Sequence, residues 1–142
     1  MKTTIGGYHG KLLRVNLSEH THKVEEIDNK LVLDYIGGRG LGSKILFDET
    51  PVGVDPLGPE NKLIFATGPL TAINAPTTSR YSIVTKSPLS GTIGGSSSGG
   101  HFGVNLKSTG YDVIVVEGKS ETPCYLCVSD EKVEIRDAKA LW

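Results

Sequence analysis

Cysteine is scarce in this sequence: Cys124 and Cys127 are the only two among 142 residues. That excludes a disulfide framework, and it leaves the chain two thiolates short of the four that a [4Fe-4S] cluster normally takes. The two form a C-Y-L-C motif, but the segment alternates and is rich in strand formers. Its thiols then point to opposite faces, about 10 Å apart at the rise of an extended chain. A disulfide needs Cα atoms within about 7 Å, and zinc would need further soft ligands. Long apolar runs are absent too, so no segment approaches the roughly 18 residues of a membrane span. Met1 to Gly7 lacks the apolar centre of a signal peptide, and a cytoplasmic protein is expected. Charge of one sign is not in excess: 15 Lys and Arg face 16 Asp and Glu without long runs. No electrostatic footprint for nucleic acid or anionic lipid results. Nor does any segment combine a nucleophile with a base and an orienting acid, so no catalytic residue is assigned.

Glycine, by contrast, is plentiful, and it is concentrated. The stretch SGTIGGSSSGGHFG, Ser90 to Gly103, holds six glycines and four serines. Composition alone suggests a flexible tether. The flanks argue for an ordered loop instead. Phe102 and Leu106 stand at i and i+4 of a short helix that Gly110 ends, and Tyr111 to Val116 reads as a buried strand. The expected order is strand, Gly/Ser loop, short helix, strand, with some of the glycines at positive φ. Such a loop lets backbone N–H groups approach an anion, and the helix start adds open donors and a positive dipole end. It is not a standard nucleotide loop. Gly100 and His101 stand where a P-loop needs its lysine, and in GGRGLG, Gly37 to Gly42, the third glycine of a dinucleotide fingerprint comes one residue early.

Elsewhere, KLLRVNL and KVEEI flank a polar turn and read as an exposed β-hairpin. A second one, YLCV and VEIRD about the turn SDEK, echoes it and raises the reading of two related halves. Asp28 caps a helix through LVLDYI that Gly37-Gly38 end in left-handed backbone. A second helix follows, with Leu41, Ile45 and Leu46 on one face and Pro51 stopping it. LIFATG and RYSIVTK read as strands. The fold class is α+β, mostly antiparallel sheet with a few short helices.

The blocks HGKLLRVNLS, YIGGRGLG, VDPLGPENKLIFATGPLT, APTTSRYSIVTKSPLSG, SGGHFGVNLKSTGYDVIVVEGK and VEIRDA resemble, in this order, the N-terminal domain of tungsten-containing aldehyde ferredoxin oxidoreductases. The resemblance implies an enzyme of anaerobic metabolism that oxidises aldehydes to carboxylic acids and passes electrons through a [4Fe-4S] cluster to ferredoxin. Its tungsten is held by two pterins (tungstopterin, of the molybdopterin type), with magnesium bridging their phosphates. This domain would be the base on which the pterins lie, with cluster and substrate channel in downstream domains. On that reading Arg80 contacts the pterin, and Ser97, Ser98, Gly99 and Gly100 line the cofactor site. Ser97 stands where a branch of the family has Asn, and its backbone carbonyl is left to reach the magnesium. Arg39 either reaches the cofactor or covers a helix end, and His101 is either a donor near the site or a packed loop residue. His20 and His22 read as solvated turn residues, and Lys86 as a candidate for facing a phosphate. The chain, ending at Leu141-Trp142, would cover the larger part of one cofactor domain and be inactive alone. Association with itself is left open. The alternative is a non-catalytic anion-binding or assembly module that works with a separate partner chain.

Overall fold

The computed structural model describes residues 5–129 and 132–142. Its first hairpin pairs β1 (Lys11–Asn16) with β2 (Thr21–Glu26), Lys11 opposite Glu26 and Asn16 opposite Thr21. The hairpin is not exposed as a whole. β1 is buried from Leu12 to Val15, and only β2 lies on the surface. The reason is the run of apolar residues on both faces of β1: Leu12 points to one core, Leu13 and Val15 to the other, as in a strand covered on both sides. The return strand also begins earlier than the KVEEI run, with His20 turning the chain at φ 52 and His22 in the strand opposite Val15.

The central neighbour of β1 is β6 (Val113–Glu117), which pairs with it in parallel, Leu12 beside Val113. β3 (Lys62–Thr67), β4 (Tyr81–Lys86) and β5 (Ile93–Ser98) complete a six-stranded sheet in the order β2-β1-β6-β3-β4-β5. Every other pairing is antiparallel. The second hairpin, β7 (Cys124–Ser129) with β8 (Lys132–Asp137), is a separate two-stranded sheet. The tip of its SDEK turn lies outside the described residues. The fold is thus α+β and mostly antiparallel sheet, with the two hairpins in unlike positions.

Helices α1 (Asn29–Tyr35) and α2 (Gly38–Glu49) cover one face of the sheet. The Asp28 carboxylate accepts from the Lys30 N–H at 3.1 Å and starts α1 as expected. α1 ends differently: Ile36, not glycine, takes the positive φ of 63 at its C-cap, while Gly37 is extended. Val32, Leu41, Ile45 and Leu46 pack on Ile64, Ala66, Val84, Val113 and Val115. A Cβ on Gly42 would come within 2.9 Å of Val84 Cγ2, so this glycine sets how closely α2 approaches. On the other face, Leu13, Val15 and Ile114 meet Leu106 of α3 (His101–Ser108) and Leu126, Val128, Val133 and Ile135 of the second hairpin. Cys124 lines the space between hairpin and sheet beside Leu126 and Val128; Cys127, three residues on, does not, and both are free thiols.

One ion cluster locks the far end of α2 to the sheet. Buried Arg14 on β1 donates to Glu25 of β2, to Glu49 at the end of α2 (2.7 Å) and to Glu117 of β6 (3.2 Å), which Lys62 also bonds at 2.6 Å. The hydrogen bonds from Arg14 hold the Glu25 carboxyl below the usual carboxylate range. Burial pushes Glu117 up, but the Lys62 and Arg14 cations outweigh it and hold this carboxyl low as well. Lowered folded-state values mean stabilisation that is complete above the unfolded value of 4.5 and is lost as pH falls through the folded ones. Arg14→Met should therefore cost about 3 kcal/mol at neutral pH by stranding carboxylates that lost their partner. It should also flatten the dependence of urea-unfolding stability on pH between about 5 and 3; an unchanged acid slope would show that the cluster contributes nothing to folding.

Candidate cofactor cradle at the glycine-rich end of the sheet

The tract expected as a loop is largely a strand. Ile93–Ser98, IGGSSS, forms β5, an edge strand whose inner backbone groups pair with β4, Ser82 opposite Ser97 and Tyr81 opposite Ser98. Pairing on one side suffices for an edge, and glycine and serine do not clash there. The observed order is strand, turn, edge strand, helix, strand. Two of the six glycines take positive φ, Gly91 (68) in the β4–β5 turn and Gly100 (83) as the N-cap of α3.

Because β3, β4 and β5 run antiparallel, the end of β3, the start of β4 and the end of β5 share one end of the sheet. Both α2 and α3 begin there. At Gly37 a Cβ would lie 2.7 Å from the Thr67 carbonyl oxygen at the end of β3, and at Gly38 3.3 Å from Ser82 Oγ. At Gly103 it would lie 2.6 Å from the Ser79 carbonyl oxygen, so α3 packs directly on the chain entering β4. Each helix has a glycine N-cap, Gly37 and Gly100, with no side-chain capping bond and no acidic residue in its first turn. Two sets of first-turn N–H groups and two positive dipole ends are therefore left without a side-chain acceptor.

Around them the named residues fall into two groups. Arg39, the second residue of α2, is exposed and lies against β5: its Nε is 3.3 Å from where a Gly95 Cβ would be, so the missing side chain is what makes room for the guanidinium. On this same face Ser97 Oγ and Ser82 Oγ are 3.0 Å apart. Ser82 escaped the sequence reading, since only the β4–β5 register brings it opposite Ser97. The second group sits around the start of α3. Ser98 follows Ser97 in the strand and so faces the other way. Its hydroxyl donates to the Gly99 carbonyl at 3.5 Å. Gly99 packs near Ser79 Oγ, Gly100 caps the helix, and His101 is its exposed first residue. Arg80 enters β4 beside them. Its carbonyl accepts from Thr71 Oγ1 at 3.0 Å, while its guanidinium is exposed and makes no ion pair among the described residues. The structure thus gathers Arg39, Arg80 and Ser97 to His101 at one end, distributed over both faces of the edge rather than on one surface.

The other candidates lie apart. Lys86 is at the far end of β4, where its ammonium donates to the Val54 carbonyl at 2.5 Å. His20 and His22 are exposed on the opposite edge of the sheet. Among the described residues no group of three His, Cys, Asp or Glu side chains has metal-binding geometry, and no helix is long and apolar enough to cross a membrane.

Comparison with known proteins bears on this site. The family model described as "Aldehyde ferredoxin oxidoreductase, N-terminal domain" matches residues 12–142. A tungsten-containing aldehyde ferredoxin oxidoreductase of Pyrococcus furiosus is 54% identical over 96% of the chain, and one of Thermococcus kodakarensis is 53% identical over the same share. An aliphatic sulfonate oxidoreductase, WOR-like subunit, of Pyrococcus furiosus is 43% identical over 95% of the chain. The chain spans 22% of the length of each of these relatives. Among solved structures, the active site complex BamBC of benzoyl coenzyme A reductase with 1,5-dienoyl-CoA superposes with a TM-score of 0.93 at 38% identity, covering 96% of this chain and 21% of that one. With a match across almost its whole length and relatives above half identity, the chain belongs to the family of aldehyde ferredoxin oxidoreductase N-terminal domains.

Proposed function

We propose that the glycine-rich end of the sheet is one wall of a tungstopterin site in an oxidoreductase that converts aldehydes to carboxylic acids. The observation that carries this is the gathering, at one end of the sheet, of two helix starts without side-chain caps and two exposed arginines beside a strand with no side chain larger than serine between Gly94 and Ser98. Flat heteroaromatic rings with phosphate tails need close backbone approach together with anion donors, and this end offers both. A tungsten held by dithiolene sulfurs supplies the two-electron and oxygen-atom chemistry when the group is bound. The chain's own residues bind and orient. Arg80 and Arg39 supply guanidinium forks suited to phosphate or pterin heteroatoms. The first-turn amides of α2 and α3, at Gly38 and His101, supply further donors, with Ser97, Ser98, Gly99 and Gly100 allowing the approach. The Ser97 carbonyl is the candidate magnesium ligand. The [4Fe-4S] cluster, the remaining pterin contacts and the ferredoxin surface are assigned to partner domains or subunits, in keeping with the greater length of the relatives. A cytoplasmic, anaerobic setting goes with the same reading.

Arg80→Ala should lower tungsten and pterin content of the assembled enzyme far more than its melting temperature, since losing one charge-assisted partner weakens binding by about 1.5 to 3 kcal/mol; full tungsten content with unchanged activity would place the residue elsewhere. Gly95→Val tests the cradle from the other side. Valine suits an edge strand, so stability should hold while the displaced Arg39 lowers cofactor content, and unaffected content would refute a role for that contact. The 142-residue chain by itself should be colourless, without stoichiometric iron or tungsten by elemental analysis, because it has two cysteines where a cluster takes four. Iron at cluster stoichiometry in that preparation would overturn the assignment of the cluster to partner domains.

A further inference from the structure

The corner between α1 and α2 is an unusual place for the chain to turn. Ile36 holds φ 63 and ψ −69, and the Gly37 N–H reaches back over it to the Tyr35 carbonyl at 2.7 Å. This is the three-residue turn of positive φ, which is strained for a β-branched side chain. Ile36 is exposed, so its packing does not hold it there. What does reach it is Tyr8, 28 residues away: the phenol donates to the Ile36 carbonyl at 2.5 Å. Tyr8 is itself fixed from below by the Lys107 ammonium, 5.3 Å from its ring centroid. Burial and the nearby Asp112 carboxylate push the phenol above its ordinary value, so it remains a donor across the neutral range. The first turn of α2 is folded tightly over the same corner, since a Cβ on Gly40 would lie 2.6 Å from the Tyr35 carbonyl oxygen. The corner is therefore packed directly against the turn that carries Arg39.

We infer that Tyr8 is a positioning residue: by holding the strained Ile36 turn it aims the start of α2, and with it Arg39, at β5. The importance of that aim for the cofactor rests on the reading of Arg39 given above; the latch itself does not. Tyr8→Phe keeps the ring over Lys107 and removes only the donor. Hydrogen exchange of the chain should then quicken at the Gly37 and Leu41 amides, which make the turn bond and the first bond of α2, by about two- to tenfold relative to the amides of β6. In an Ile36→Gly background, where positive φ costs nothing, the same substitution should have a much smaller effect. Unchanged exchange, or an equal effect in both backgrounds, overturns the inference. If Tyr8→Phe does not fold, the double variant must, because the strain that the latch opposes is gone; failure of both also overturns it. Tungsten content of the assembled Arg39→Ala enzyme separates the two readings: full content removes Arg39 from the cofactor site and leaves the latch to be judged by exchange alone.

Discussion

The ion pair between Lys107 and Asp112 holds the rest of the fold in register. Asp112 is 1% exposed and Lys107 5%, so each charge would be costly without the other. Asp112 also accepts from the Gly10 N–H at 2.7 Å through its side chain, and its backbone bonds Lys11 on one side and Thr67 on the other. Lys107 donates to the Gly68 carbonyl at 3.3 Å. One buried pair thereby ties the end of α3, the entry to β1, the start of β6 and the exit of β3. The position of α3 and the path of the chain leaving β3 toward Arg80 both follow from it.

Above that anchor, the candidate cradle is shaped by what is missing rather than by what is present. Gly37 and Gly103 let two helix starts press against carbonyl oxygens, and Gly95 leaves the place that Arg39 occupies. A cavity could be made with larger residues only by moving the helices outward, which would carry their first-turn amides away from β5. Small residues and open helix ends thus belong to one solution, and the room left at Gly95 is what Arg39 uses. The electrostatics are local, since the chain as a whole carries a formal charge of only −1.

Much of the scaffold was legible from period and punctuation. The 3.6-residue spacing of Leu41, Ile45 and Leu46 and the apolar run Val113 to Val116 are strong local signals, and Asp28 caps where its side chain suggests. β5 was not legible as a strand because glycine and serine have little strand preference of their own; its conformation comes from pairing with β4. The burial of β1 was hidden for a related reason, its second neighbour lying about a hundred residues downstream. Among the candidate site residues, the glycines, Arg80 and Arg39 were named on pattern and family resemblance, and the structure brings them to one end of the sheet. The contacts of Ser82 and Tyr8 were not legible, since they arise only through strand register and a hydrogen bond across 28 residues.

The parallel pairing of β1 with β6 sets a timetable for the growing polypeptide. Leu12 finds Val113 only after everything between them has left the ribosome. At about 5 to 20 residues per second, the apolar side chains of Leu13 and Val15 wait roughly five to twenty seconds for their cover. During that interval the β1–β2 hairpin exists without its inner neighbour, and isolated hairpins are marginal in water. The polar return strand, with Lys23, Glu25 and Glu26, covers only the outer edge of β1, so the inner edge stays open to pairing with a wrong chain until β6 arrives.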